Sequence, residues 1–344
     1  MVTASPNNQR QTFSYDSTGA QTQLIDPLGR RTTSAYSAAG QQNLRIDARS
    51  NRTSFVYNSV SQLTSRKYPD GTRATFSYDT IGNRTLMADS TGRYTSTFDA
   101  VGQTTSAALP GDFRFTHTFD SVGNRRTVSD AARGRTTWTY NAANQLSSEV
   151  NGDTKRTTFT HDDAGRRTQQ KATDGSRTSW TYDAASNLTQ VQDSKADNST
   201  ISSFEYRTDN VGNRTGATLA SGVRVTWVYD KRNRLTAERR NGVSGYANTF
   251  VYDTVGNRLV LNASGTRTTT VYDNANQIKY STAAAGRTTY TFDPNGNQQI
   301  VREPAGARTT TTWNYENQPT LFRMPDGSRV TMSYNANNRR VDKE

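Results

Sequence analysis

Residues 76–84 read FSYDTIGNR, residues 118–126 read TFDSVGNRR, and residues 250–258 read FVYDTVGNR. An aromatic followed by Asp, with Gly four places after the aromatic, recurs along the whole chain. Aligned on that aromatic, the anchors are Tyr15, Tyr36, Tyr57, Tyr78, Phe98, Phe119, Tyr140, His161, Tyr182, Thr208, Tyr229, Tyr252, Tyr272, Phe292, Tyr315 and Tyr334. Most steps are 20 or 21 residues, and the longest is 26, where the insertion SKADNST (194–200) lengthens a loop. A fixed period of this size is the signature of a repeat architecture in which one supersecondary unit is stacked many times.

Each part of the unit has a physical task. Asp or Asn after the anchor, as at Asp16, Asp79, Asp120, Asp183, Asp253, Asp293 and Asn58, can accept backbone N–H groups two residues on and start a turn. Gly or Asn four places after the anchor, as at Gly19, Gly82, Gly123, Gly256 and Gly296, tolerates positive φ. Two residues before the anchor stands a second large side chain: Phe13, Phe55, Phe76, Trp138, Phe159, Trp180, Trp227, Phe250 and Trp313. A spacing of two puts both rings on one face of a strand, with the Thr or Val between them on the other. Midway through the unit lies a second turn, as in DPLGR (26–30), PDGTR (69–73) and PDGSR (325–329), with the Pro and Gly that β-turns favour. The 5–8 residues between turns alternate with period two, as in RATFSYD and RVTWVYD, and predict strands. No stretch has helical spacing of apolar residues. The chain therefore predicts an all-β fold: tandem antiparallel β-hairpin repeats in one curved or spiral sheet of roughly thirty short strands, since accumulated twist keeps so wide a sheet from lying flat.

Composition agrees. Hydrophobic residues make up 31% of the 344 residues, mean hydropathy is −0.89, and yet aromatics reach 10%. Apolar area carried by a few large rings suits a single sheet better than a thick core. The absence of cysteine removes disulfides, thiol nucleophiles and Cys-ligated metal from consideration.

The unit aromatic-x-Tyr-Asp-x-x-Gly-Asn-Arg resembles the YD repeat of Rhs proteins, a family that includes bacterial Rhs and wall-associated polymorphic toxins, shell components of Tc toxin complexes and the animal teneurins. The resemblance spans residues 1–344, read as a single array of about sixteen repeats, truncated at both ends. It implies a partial Rhs shell: a β-sheet spiral wound into a hollow wall. In the toxins such a wall encloses a C-terminal effector until delivery; in teneurins it is an extracellular adhesion scaffold. The implied partners are the chain's own flanking segments and a C-terminal effector domain, with cell-surface glycans as the alternative and nucleic acid disfavoured. The implied location of the parent is secreted or at the cell surface. Family toxins also carry Asp-Pro-x-Gly motifs whose aspartates release the effector. Here DPLGR (26–30) and DPNGN (293–297) fall at ordinary turns, and no protease is carried over.

No other chemistry stands out. His161 replaces an anchor and His117 fills the second aromatic place of its unit, so neither reads as a ligand, and no metal site or cofactor is expected. DSKADN (193–198) lacks calcium-loop spacing. No nucleophile–His–acid set is present, and an enzyme would have to hide in the 193–203 insertion. The net charge of +12 invites a nucleic-acid reading, but the basic residues are periodic. Arg or Lys follows the second turn at Arg30, Arg52, Arg73, Arg93, Arg114, Arg135, Lys155, Arg177, Arg224, Arg267, Arg287, Arg308 and Arg329; more Arg follows the anchor turn at Arg84, Arg125, Arg214 and Arg258. The structural expectation is that these arginines cover rings, pair with turn aspartates and blunt edges. The functional expectation is a ladder of positive charge, with Arg73, Arg93, Arg135, Arg177, Arg224, Arg267, Arg308 and Arg329 as polyanion contacts. The start, MVTASPNNQ, has no apolar run and reads as no signal peptide, and no stretch approaches the length of a membrane helix.

Overall fold

A computed structural model describes residues 2–4 and 9–344; the remaining amino-terminal positions, part of the stretch read for a leader, lie outside the described residues. The 33 strands among the described residues run in chain order, each pairing antiparallel with its chain neighbours, so the sheet is an uninterrupted meander. Among the described residues there is no helix.

Two turns alternate along the meander, and the anchor turns and most of the second turns use the same backbone scheme. At the anchor turn Asp79 N–H donates to Asn83 O (2.9 Å) and Gly82 N–H to Asp79 O (3.2 Å); at the second turn Tyr68 N–H donates to Thr72 O and Gly71 N–H to Tyr68 O, both at 3.0 Å. The residue closing the turn has positive φ, 95° at Gly82 and 85° at Gly71, which a Cβ would strain. The same place is taken at positive φ by Asn144, Asn233 and Asn276, and also by Ser61 and Ser186.

After every anchor the register slips by one residue. Ser77 faces Leu86 whereas Tyr78 faces Arg84, leaving Thr85 as the extra residue of a bulge. The same slip recurs at Tyr15, Tyr57, Phe119 and Tyr252. A bulge repeated at one place in every unit adds twist in one sense, and this turns a flat meander into a coil.

Two expectations change here. The anchor of the penultimate unit is Trp313 and not Tyr315: Trp313 faces Pro319 across the bulge and Asn314 opens the turn. Both neighbouring steps then become 21 residues, and Tyr315 is a turn residue. The insertion at 194–200 does not lengthen a loop. It lengthens the hairpin, whose strands Leu188–Ser194 and Thr200–Thr208 have 7 and 9 residues around an ordinary turn from Lys195 to Ser199. Thr and Ser in the insertion have the β-propensity to extend the ladder, and the extra backbone groups pair there instead of facing water.

Little of the molecule is core. The buried apolar side chains are Ala74, Phe76, Met87, Ala217 and Met332. Ala74, Phe76 and Met87 form one cluster, with Leu63, Tyr78, Tyr94 and Ala336 packed on it. Ala336 lies some 260 residues further along the chain from this cluster, so among the described residues the clustered core is where the sheet has come round on itself.

Candidate interaction surface: two faces and a seam

The anchor turn is an aspartate cage. Asp79 Oδ1 accepts N–H from Ile81 (3.1 Å) and Asn83 (2.8 Å), and Oδ2 accepts the Asn83 side-chain amide (2.9 Å). Asp120, Asp183, Asp253 and Asp293 repeat this with Asn124, Asn187, Asn257 and Asn297, while Asp16 uses Thr18 and the Ala20 N–H. Hydrogen bonds from Thr18 to Asp16, and from the Asn83 and Asn187 amides to Asp79 and Asp183, hold these carboxyls below their ordinary range. The Asn of the Gly-Asn pair is thus the second half of the cage, a role the sequence reading did not assign. Its signal was present. Where the first residue is Asn, as at Asn58, Asn141 and Asn314, the partner is Gln62, Gln145 and Gln318, now accepting from the amide. Where an Arg stands in the partner place, Arg166 and Arg234 bridge Asp162 and Asp230 and reach the next turn's carbonyl.

The anchor hydroxyl has one recurrent partner. Tyr36, Tyr57, Tyr78, Tyr140, Tyr182 and Tyr229 donate to the carbonyls of Gln21, Gln42, Leu63, Arg125, Arg167 and Arg214, at 2.9 to 3.0 Å. Tyr252 donates to Leu235 O at 2.8 Å, and the Trp313 indole N–H does the same to Gln298 O at 2.9 Å. Each carbonyl belongs to the residue just before a bulge. Phe119 and Phe292 have no hydroxyl for this bond, and Tyr15 is half exposed at the edge of the array.

The two sets of arginines part company. Those after the anchor turn lie on the aromatic face: Arg84 over Phe76 (5.4 Å), Arg125 over Trp138 (4.5 Å), Arg167 over Phe159 (4.5 Å), Arg214 over Tyr206 (3.7 Å) and Arg258 over Phe250 (6.0 Å). These cover rings as expected. Those after the second turn are on the other face by strand alternation, since Arg73 shares its side with Thr75 and Ser77 while Phe76 and Tyr78 share the opposite one. They cover no anchor ring, and Arg287 lies over Tyr280 (4.0 Å), a ring on this second face. Arg73, Arg93, Arg135, Arg224, Arg267, Arg308 and Arg329 are exposed; Arg177 is half-buried against Asn198. Register links them into a staircase: Ser54 faces Lys67, which faces Arg73; Thr75 faces Ala88, which faces Arg93; Thr289 faces Arg302, which faces Arg308; Thr310 faces Arg323, which faces Arg329. At 150–156 the rung is Arg156, facing Val150, and Lys155 stays in the turn.

Carboxylates segregate in the same way. Within strands, Glu149 faces Trp138 and Glu238 faces Trp227, each accepting the indole N–H. Asp193, in the insertion considered for an enzyme, accepts Thr178 and Ser202 hydroxyls at 2.6 Å. On the arginine face the described strands carry Glu205 and Asp342 and no other carboxylate.

The third feature is a seam that sequence reasoning missed. Arg49 donates to the carbonyls of Trp313 (3.4 Å) and Asn314 (2.6 Å), and its guanidinium lies 3.5 Å from the carboxylates of Asp47 and of Asp293, both buried. Asp47 also accepts the Asn295 amide at 2.6 Å. Arg45 and Arg66 share Glu316, Tyr68 stacks on Tyr315 with centroids 5.8 Å apart, and Ala336 N–H donates to Asp89 (2.6 Å). Second turns of the early units thus lock onto anchor turns of the late ones. The two Asp-Pro-x-Gly turns meet here, with Arg30 paired to Asp26 and donating to Asp293 O. Each aspartate is held in its own cage. No sequence pattern marks Arg49 apart from other arginines, because its partners lie about 250 residues away. Where the late units end, a cavity of about 1220 Å³ opens between them and residues 68–113, lined by Tyr68, Tyr94, Phe113, Tyr315 and Met332.

Known proteins share the repeat and the fold. Residues 110–238 match the Teneurin YD-shell family and residues 57–94 the RHS Repeat family. No curated protein sequence matches the chain. Among solved structures, the TcdB2-TccC3-TEV crystal structure superposes with a TM-score of 0.74 over 97% of this chain and 22% of its own, at 15% identity. The Photorhabdus luminescens Tc holotoxin pore with a mutated TccC3 gives a TM-score of 0.67 over 97% of this chain and 21% of its own, at 14% identity. The chain therefore spans about a fifth of the length of these structures, and at such identity the likeness is one of fold. Residues 57–94 and 110–238 thus match RHS and YD-shell repeat families, and the chain as a whole has the fold of the Tc toxin shell structures.

Proposed function

We propose that the array is wall material of a hollow Rhs/YD shell in a secreted or contact-dependent toxin system, a non-enzymatic scaffold that encloses or presents a C-terminal effector. The observation that carries this reading is the seam. A wall must close on itself rim to rim, and Arg49, Glu316 and Asp89 join turns some 250 residues apart in one coil. A surface rich in Thr, Ser and caged carboxylates suits a wall bathed in water on most of its area. The flanking parts of the shell and the effector are its partners, and the assembly acts outside the producing cell or on its surface. The test is cryo-electron microscopy of this protein together with the polypeptide encoded downstream of it, paired with limited proteolysis. A closed lumen and a downstream segment that resists protease until the wall is opened are expected. An open solenoid with a freely cleaved downstream segment would overturn the proposal. A cell-surface adhesion array that binds carbohydrate or another polyanion is the second reading, and the exposed arginine staircase favours it.

A further inference from the structure

We infer that the arginine face between residues 287 and 329 is a binding track for a sulfated or similarly anionic polysaccharide. This rests on the second reading above and is independent of whether the wall encloses an effector.

The argument begins with a local cost. Arg302 stands directly across from Arg308, and Arg323 directly across from Arg329. Opposed like charges on one face of an antiparallel pair destabilise it, and Cβ atoms so placed are about 5 Å apart. Elsewhere in the chain a cation at this level faces a neutral residue, as Arg93 faces Ala88 and Arg267 faces Asn262, or stands as a single opposed pair, as at Lys67 and Arg73. Only here do two such pairs follow in successive hairpins, with Arg287 one step before them. All four side chains of the pairs are exposed, and among the described residues none joins an ion pair. The nearest carboxylates in sequence are those of Glu303 and Asp326 in the connecting turns, and Asp326 is engaged by Ser328; on the same face Asp342 stands across from Ser333 and marks the end of the track. These residues lie at the second-turn end of the late hairpins, whereas the seam uses the anchor-turn end. The track is therefore on the rim the seam leaves uncovered.

The shape of the track selects the ligand. Strands lie about 4.8 Å apart, so cations on successive strands with a two-residue stagger form a line, not a cluster, and a linear polyanion fits it better than a compact one. Guanidinium forks match sulfate, phosphate and carboxylate oxygens. Between the cations on this face stand Thr289, Thr310, Thr312, Thr331 and Ser333, whose hydroxyls can bond sugar hydroxyls. On the four strands that carry the two pairs, the rings on which unpaired bases would stack, Trp313, Phe322 and Tyr334, are on the opposite face; the ring on the cation face, Tyr280, stands at the start of the track and is covered by Arg287 at 4.0 Å. Cations interleaved with hydroxyls, with no ring open for stacking between Arg302 and Arg329, favour a polysaccharide over single-stranded nucleic acid.

The experiment compares the protein with two fourfold variants of equal charge loss. One replaces Arg302, Arg308, Arg323 and Arg329 by Ser; the other replaces the exposed bulge residue Arg126 and the exposed turn residues Arg133, Lys195 and Lys231 by Ser. Binding to heparin and to single-stranded DNA of matched charge density is measured across a salt series, with circular dichroism to establish that each variant keeps its β-sheet. The first variant is expected to lose about tenfold or more in heparin affinity at low salt and to flatten the log–log salt slope by up to roughly three, at about 0.7 per lost contact. The second should retain most of both. Equal losses in the two variants, meaning that bulk charge alone binds, would overturn the inference. So would tighter binding of the DNA than of heparin, or no heparin retention by the unaltered protein at physiological salt.

Discussion

A few atoms do most of the work in each repeat. The caged aspartates bind two or three N–H groups in the folded chain and none in the unfolded one, which is why Asp16, Asp79, Asp183 and Asp209 have lowered pKa values, each through a side-chain hydrogen bond first. A carboxyl whose folded pKa lies below its unfolded value contributes stability above the unfolded value and loses it as pH falls through the folded one. Because many turns share this design, the array should hold its sheet from neutral pH down to about 4 and unfold steeply below it. Circular dichroism against pH checks this, and a flat profile down to pH 2 would contradict it. The anchor hydroxyl gives a second expectation at this scale. Tyr78→Phe removes one bond to Leu63 O and should cost about 0.5–1.5 kcal/mol in urea unfolding, while Tyr15→Phe, whose hydroxyl makes no such bond, should cost less. Sequence alone showed that Tyr was preferred, but the reason Phe is tolerated at Phe119 and Phe292 is that the ring's packing survives without the bond.

At the scale of the element, the hairpin tells which sequence signals were strong. Positive φ at the fourth place was legible because Gly and Asn are the residues that tolerate it, and the caged partner was legible in hindsight from the alternation of Asp with Asn and Asn with Gln. Serine in that place is a compromise: Ser186 has φ 66° and Ser61 has φ 67°. Ser186→Gly should therefore raise stability by about 0.5–1 kcal/mol, whereas Gly82→Ala, at φ 95° with its Cβ set 3.3 Å from Gln62, should lower it by about 1 kcal/mol or more. Thermal melts of the two single variants check the opposite signs. Two readings failed at this scale for one reason. The aromatic of Tyr315 by itself suggests an anchor, and the polarity of 194–200 by itself suggests a loop. Neither composition nor a single ring fixes register; the bulge and the turn do, and they put Trp313 at the anchor and the extra residues into the ladder.

At the scale of the whole molecule, the contacts that matter join residues that no local pattern connects. Strands touch only their chain neighbours through the backbone, so the coil is held at its return by side chains: Arg49, Arg45, Arg66, Glu316, Asp47 and Asp89. Arg49→Ala leaves two buried carboxylates, Asp47 and Asp293, without their shared cation, and removal of one partner from a buried pair is costly. The seam should open while the hairpins persist. Hydrogen exchange should accelerate by at least about tenfold at 293–317 and 45–51, with little change at 214–240, which lies far from the seam. Uniform acceleration would mean that the coil and its hairpins melt together.

By itself the sequence determined the repeat: the period, the two turns, the alternation of faces and the absence of a thick core, because each follows from preferences acting within one or two hairpins. Only the tertiary structure decided where the sheet meets itself, which arginines cover rings and which stand free, and that the cluster of Ala74, Phe76 and Met87 lies beneath Ala336. These depend on the sum of many small twists around the coil, and a sum over so many units cannot be read from any one of them.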